Sequence, residues 1–121
     1  MSEKLILIAD DAAFMRKMIR STLTSAGYSN FIEAANGAEA VKLFAAENPD
    51  LVLLDVTMPE MDGLEALKRI LAISPDAKVI MCSAIGQDAT IMEAVRSGAS
   101  EFIVKPFKKE QLSEMVINLL G

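Results

Sequence analysis

The stretch LVLLDVTMPEMDG, from Leu51 to Gly63, decides the fold. It opens with four consecutive Leu or Val residues, and turn-forming residues bound this run at 48–50 and 58–59. A run this short and this apolar is typical of a strand that is buried on both faces of a parallel sheet. Asp55 would end that strand, at the edge where open α/β sheets form their sites. Asp55 is therefore the first candidate functional residue.

The composition limits the class of protein. The 121 residues are 52% hydrophobic and 24% charged, as expected for one globular domain over residues 1–121. A net charge of −5 argues against nucleic-acid binding, and the absence of histidine removes the commonest metal ligand and general base. The single Cys82 excludes an intramolecular disulfide and fits a reducing compartment. Without a membrane-length apolar run or a signal peptide, we expect a cytoplasmic protein that does not bind membranes.

Short apolar runs alternate with amphipathic stretches along the whole chain. Strands are predicted at 5–9, 30–35, 51–54, 79–82 and 102–104, and helices at 12–26, 40–45, 64–71, 89–97 and 110–120. In the fourth helix, Ile91, Met92 and Val95 are predicted to face inward. The alternation predicts a (βα)5 flavodoxin-like doubly wound parallel sheet with strand order 2-1-3-4-5. An eight-unit barrel would need about twice this length.

Four of the five predicted strands are followed by polar residues. Asp10 and Asp11 follow the first strand, Asp55 the third, Ser83 the fourth and Lys105 the fifth. In the predicted order these four strands are neighbours, so their ends converge on one crevice. The combination of residues is a more specific signal than any one of them, because a single polar residue at a strand end is common.

The converging residues predict phosphoryl chemistry. Three carboxylates in one crevice repel one another unless a cation is present, and Mg2+ is the expected ion because it prefers oxygen ligands and phosphate. Zinc and copper are disfavoured by the lack of histidine and of available thiolates. Lys105 and Ser83 would complement a tetrahedral dianion held at the metal. Asp55, on the central strand, is predicted to accept the phosphoryl group.

Four segments carry a resemblance to a known family. They are IADDAAFMRKMIR (8–20), DVTMPEMDG (55–63), CSAIGQ (82–87) and FIVKPF (102–107). Together they resemble the receiver domains of two-component response regulators, most closely the single-domain regulators of chemotaxis. The resemblance spans the whole chain, and the motifs are highly specific.

The resemblance implies a metal site. Asp55 matches the phosphoacceptor of the family, and Asp11 matches a direct Mg2+ ligand. Asp10 matches a carboxylate that binds the ion largely through water, and the backbone carbonyl of Thr57 is a further expected ligand.

The resemblance also implies a switch. Ser83 matches the switch hydroxyl, Lys105 the invariant lysine, and Phe102 the aromatic residue whose rotamer reports phosphorylation. The family has a cis peptide bond before the position of Pro106, although trans is the default for the sequence alone. Phe102 lacks the hydroxyl of the tyrosine found in many relatives, so the hydrogen bonds of that tyrosine are not expected here.

The expected function is a phosphorylation switch. A histidine kinase would donate the phosphoryl group, because the chain has no histidine of its own. We expect the protein to be a monomer. It would assist its own phosphorylation and dephosphorylation but would not be an enzyme otherwise. Its output face would comprise the predicted helix 89–97, strand 102–104 and helix 110–120. The expected partners are the kinase, a phosphatase and the flagellar motor switch protein. The alternative is a phosphorelay shuttle, or the excised receiver of a larger regulator.

Rival classes fit the residues less well. A phosphohydrolase of the haloacid dehalogenase type has a second acid two residues after its nucleophile, where this chain has Thr57. A flavodoxin-like cofactor binder needs a phosphate loop rich in Ser, Thr or Gly after the first strand, where this chain has Asp10 and Asp11. A degenerate receiver acting as a scaffold would lack the acid pair, the phosphoacceptor or the lysine.

Overall fold

The computed structural model describes residues 2–120 and confirms the predicted fold. Over these residues five parallel strands form one sheet in the order β2-β1-β3-β4-β5. The strands are β1 (Ser2–Ala9), β2 (Tyr28–Ala34), β3 (Leu51–Asp55), β4 (Val79–Ala84) and β5 (Glu101–Lys105). The helices are α1 (Ala13–Ser25), α2 (Gly37–Glu47), α3 (Gly63–Ile73), α4 (Asp88–Ser97) and α5 (Lys109–Leu120). Every predicted boundary lies within three residues of the observed one.

The core has two layers, one on each face of the sheet. Leu7, Val52 and Met81 are buried on the face covered by α2, α3 and α4. Their neighbours along the same strands point to the opposite face, where α1 and α5 pack. All five residues of β3 are buried, because this central strand is covered on both sides. The sequence therefore shows a continuous apolar run in β3 rather than an alternating pattern.

Side-chain caps fix where two helices begin. The Asn36 side chain accepts a hydrogen bond of 2.8 Å from the Glu39 N–H at the start of α2. The Asp62 side chain accepts one of 2.9 Å from the Glu65 N–H at the start of α3. Such caps satisfy backbone donors that lack a partner in the first turn. The cap at Asp62 also fixes the end of the loop that follows Asp55.

The predicted inward face of α4 was partly wrong. Ile91 is buried, but Met92 is 59% exposed and Val95 is 48% exposed. Ala94 is the second residue that α4 buries. The buried spacing is thus i, i+3, and the small Ala94 side chain leaves little apolar surface to mark that face in the sequence. Met92 and Val95 are therefore left on the surface.

No helix within residues 2–120 combines the length and the apolar character needed to cross a bilayer.

Candidate functional site

The sheet brings the predicted site residues together at its carboxyl edge. Along β3 and β4, Asp55 is paired with Cys82, and along β4 and β5, Ala84 is paired with Lys105. Ala9, directly before Asp10, is paired with Leu54, directly before Asp55. The carboxyl ends of β1, β3, β4 and β5 therefore lie at nearly the same height along the sheet. The convergence predicted from the strand order is present in the structure.

Three acidic side chains form a cluster at this edge. Within the described chain, Asp10, Asp11 and Asp55 each offer a carboxylate oxygen within 4.8 Å of the others. Asp10 and Asp55 are buried, whereas Asp11 is exposed. The cluster therefore has one side open to solvent, from which an ion or a phosphodonor can enter.

Lys105 supplies the positive charge of the site. Its Nζ donates to Asp10 Oδ2 at 3.0 Å and to Asp55 Oδ1 at 3.1 Å. One ammonium against three carboxylates leaves a net charge of −2 when all four groups are ionised. The peptide bond between Lys105 and Pro106 is cis.

The electrostatics of the cluster shift two pKa values. Burial and the nearby Asp10 carboxylate raise the pKa of Asp55, and their effect exceeds the opposing effect of Lys105. Burial acts to lower the pKa of Lys105, but its hydrogen bonds to Asp10 and Asp55 outweigh burial, so the pKa of Lys105 is raised. The raised pKa of Asp55 thus reflects burial first and repulsion from Asp10 second, and a bound cation would relieve that repulsion.

The donor set fits Mg2+. The oxygens of the cluster belong to hard carboxylates, and the cluster keeps net negative charge after pairing with Lys105. Both oxygens of Asp10 already accept hydrogen bonds, Oδ1 from the Ala12 N–H at 2.9 Å and Oδ2 from Lys105. Asp11 and Asp55 are therefore the carboxylates with more free lone pairs for a metal ion.

Two residues that sequence reasoning missed support the loop after β1. An Arg16 guanidinium nitrogen donates to the Asp10 carbonyl oxygen at 2.6 Å, and its Nε pairs with Glu33 on β2 at 2.9 Å. These contacts fix the backbone on which Asp10 and Asp11 stand. The sequence carries no local signal for them, because Arg16 and Glu33 are 17 residues apart.

A third missed residue connects the loops after β3 and β4. The Gln87 side chain accepts a hydrogen bond from the Ala84 N–H at 2.7 Å and donates one to the Thr57 Oγ1 at 2.9 Å. Ser83, next to Ala84, is 1% exposed and ends the buried part of β4. Gln87 therefore connects the segment that carries the predicted switch hydroxyl to the segment that follows Asp55.

Phe102 lies on β5, at the edge of the sheet, and its side chain is 42% exposed. Val104, two residues further, lies on the same face of the strand and is also exposed. Met92 and Val95 of α4 are exposed apolar side chains as well, and these four residues are here called the α4–β5 patch.

Comparisons with known proteins agree with the fold and the site. The model of the response regulator receiver domain family matches residues 6–117. The chain therefore belongs to the receiver domains of two-component response regulators. The chemotaxis protein CheY of Thermotoga maritima is 51% identical over 111 residues, which cover 92% of each protein. CheY of Bacillus subtilis is 50% identical over 116 residues, 96% of this chain and 97% of its own.

A solved structure shows the same architecture. The receiver domain of NtrX from Brucella abortus is 32% identical, with a TM-score of 0.88 over 95% of this chain and 97% of its own. The family and the five-stranded order predicted from the sequence are both confirmed.

The raised pKa of Asp55 leads to a stability prediction. Because folding disfavours its ionised form, the penalty is absent at pH values below the ordinary pKa of 3.8, grows as pH rises from there to the higher folded-state pKa, and is complete above it. Asp55→Asn should therefore raise the free energy of unfolding at pH 7 in EDTA, and the gain should shrink towards pH 4. Urea unfolding followed by circular dichroism measures it.

The control for this prediction is Asp76→Asn, which removes an exposed carboxylate from the turn before β4, at the opposite end of the sheet. It should not reproduce the pH-dependent gain. A lower stability of Asp55→Asn at pH 7 would contradict the prediction, since it would mean that the ion pair with Lys105 outweighs burial and repulsion.

Proposed function

We propose that the protein is a phosphorylation-activated regulator of chemotaxis, which receives a phosphoryl group on Asp55 from a histidine kinase and acts on the flagellar motor switch. The observation that carries the proposal is the position of Asp55 between two further carboxylates and the Lys105 ammonium. This arrangement supplies both a cation site and a positive charge for phosphoryl oxygens. The similarity to CheY proteins supports the chemotactic role.

Mg2+ is the proposed cofactor, and it would neutralise charge on the phosphoryl oxygens during transfer. Asp11, Asp55 and the backbone carbonyl of Thr57 would hold the ion. Asp10 would contribute through water, because both its carboxylate oxygens are already hydrogen-bonded. The supporting observation is the net negative charge that the cluster keeps beside Lys105.

In the proposed reaction the Asp55 carboxylate attacks the phosphorus atom of a phosphohistidine. The phosphorus–nitrogen bond of the donor breaks, a phosphorus–oxygen bond to Asp55 forms, and the donor imidazole leaves. Asp55 Oδ1 accepts from Lys105 in the structure, so the other carboxylate oxygen is free to form the new bond. Lys105 would then donate a hydrogen bond to a phosphoryl oxygen, and because its ammonium is already protonated, no proton has to be transferred.

Phosphorylation would change the conformation of the β4–α4 loop. The phosphoryl group adds about −1.5 to −2 charges next to buried Ser83 and its neighbouring backbone. Ser83 would turn towards the phosphoryl oxygens, and Phe102 would rotate from its exposed position into the sheet. Because the two states differ by a few kcal/mol, some active state would be present before phosphorylation.

The output surface is proposed to be α4, β5 and α5, with the α4–β5 patch at its centre. The four residues of this patch are large apolar side chains left exposed, and groups of exposed apolar side chains are typical of protein interaction sites. A phosphatase is a further proposed partner, and the protein would act as a monomer with no catalytic activity other than on its own phosphorylation. We place it in the cytoplasm, in keeping with its buried free thiol at Cys82.

Binding to a flagellar switch peptide tests the output. Phosphorylated protein should bind at least about tenfold more tightly than unphosphorylated protein, as for other coupled sites. Val95→Asp should abolish this binding, because it places a charge in the α4–β5 patch. The matched control is Ile73→Asp at the end of α3, which is 51% exposed and lies outside the patch.

Equal binding with and without phosphorylation, or equal losses in Val95→Asp and Ile73→Asp, would contradict the proposed output. Efficient phosphotransfer from Asp55 to a second histidine protein, without binding to the switch peptide, would indicate a phosphorelay shuttle instead.

A further inference from the structure

The Gln87 side chain spans two loops at the candidate site. Its Oε1 accepts from the Ala84 N–H at 2.7 Å, and its Nε2 donates to the Thr57 Oγ1 at 2.9 Å. Gln87 stands at the N-cap position of α4, yet its side chain makes no capping hydrogen bond to the helix. The side chain thus makes its hydrogen bonds to the loops after β3 and β4 and not to the backbone at the start of α4.

The Ala84 N–H points towards the strand that carries Asp55. In a strand the N–H and C=O of one residue point to the same side, and successive residues alternate. The Cys82 carbonyl oxygen accepts from the Val56 N–H at 3.0 Å, so the peptide groups of Cys82 and Ala84 both face β3. Gln87 therefore accepts the hydrogen bond of a backbone N–H that points towards β3, the strand that carries Asp55.

We propose that Gln87 is a clasp that holds the β4–α4 loop in its unphosphorylated position and thereby sets how much active state is present. The inference rests on the proposed function, since it concerns the response to phosphorylation of Asp55. A phosphoryl group is a stronger acceptor than the neutral amide oxygen of Gln87, because charge-assisted hydrogen bonds are about twice as strong. On phosphorylation the Ala84 N–H exchanges Gln87 Oε1 for a phosphoryl oxygen, and the clasp opens.

The hydrogen bonds of Gln87 are strong enough to shift the equilibrium between the two loop positions, yet weak enough to be replaced on phosphorylation. A neutral hydrogen bond contributes a modest net stabilisation, which corresponds to about a three- to tenfold change in an equilibrium constant. Both hydrogen bonds of Gln87 are made in the unphosphorylated position described here. Removing the Gln87 amide should therefore raise the active fraction by about three- to tenfold or more, and removing the Thr57 hydroxyl should have a smaller effect.

Gln87→Ala and Thr57→Val test the clasp, and Gln111→Ala is the matched control. Thr57→Val keeps the backbone carbonyl and the branched shape of the side chain. Gln111 is an exposed glutamine in the first turn of α5. The first readout is hydrogen exchange of the Ala84 amide in unphosphorylated protein. The second is the rate of phosphorylation by acetyl phosphate with Mg2+, measured by intact mass.

In Gln87→Ala we expect faster hydrogen exchange of the Ala84 amide and phosphorylation that is accelerated about three- to tenfold. Thr57→Val should show a smaller acceleration of phosphorylation. Gln111→Ala should behave as the wild type in both measurements. Unchanged Ala84 exchange in Gln87→Ala would overturn the clasp, and so would a phosphorylation rate equal to or below that of the wild type. If no protein were phosphorylated, wild type included, the proposed function would fail and the regulatory role with it. A failure of the clasp alone would leave wild-type phosphorylation intact.

Discussion

Gly63→Ala is expected to lower the free energy of unfolding by at least about 3 kcal/mol. A Cβ atom at Gly63 would meet the Asp55 carbonyl oxygen at well under 3.0 Å, a separation that real Cβ atoms do not reach. The partner is backbone, so no side-chain rotation relieves the clash. The Gly63 N–H also donates to the Val56 carbonyl oxygen at 2.8 Å, so α3 cannot move away without losing that hydrogen bond.

The control is Gly27→Ala. Gly27 has φ +103, but a Cβ there meets nothing within 4 Å, so its substitution should cost only the strain of a left-handed backbone, about 1–2 kcal/mol. Gly37→Ala should resemble Gly63→Ala, because its Cβ would meet the Met61 carbonyl oxygen. Urea unfolding followed by circular dichroism compares the three. If Gly63→Ala cost no more than Gly27→Ala, the close approach of α3 to the end of β3 would be refuted.

The fold and most of the cluster could be predicted because their signals are local. A strand that is buried on both faces shows as an apolar run, as in β3, and a polar residue that follows it marks the strand end. The order of five such units leaves few possible topologies. The strand order therefore predicts that Asp10, Asp55 and Lys105 lie together, and in the structure Lys105 pairs with both carboxylates.

The missed residues make contacts between elements that are far apart in the sequence. Gln87 reaches Thr57 across 30 residues and Arg16 reaches Glu33 across 17, and neither pair belongs to a repeating pattern. The exposed Met92 was mispredicted for a related reason, because apolar residues on the surface look like core residues in a sequence. Their exposure is established only by the packing of α4 on Ala94 and Ile91.

Phosphorylation at Asp55 is the second prediction with a large expected effect. The wild-type protein should gain one phosphoryl group from acetyl phosphate, and Asp55→Asn should gain none, because an amide nitrogen or oxygen cannot replace the attacking carboxylate. The reaction should also require Mg2+. The net negative charge of the Asp10, Asp11 and Asp55 cluster would otherwise repel an incoming phosphate.

Intact mass after incubation with acetyl phosphate tests this account most directly. It should be measured with Mg2+ and with EDTA, on the wild type, on Asp55→Asn and on the distant control Asp76→Asn. We predict a gain of one phosphoryl group for the wild type and Asp76→Asn with Mg2+, and no gain in EDTA or for Asp55→Asn. A gain that persisted in Asp55→Asn, or its absence from a folded wild type that binds Mg2+, would contradict the assignment of Asp55 as phosphoacceptor.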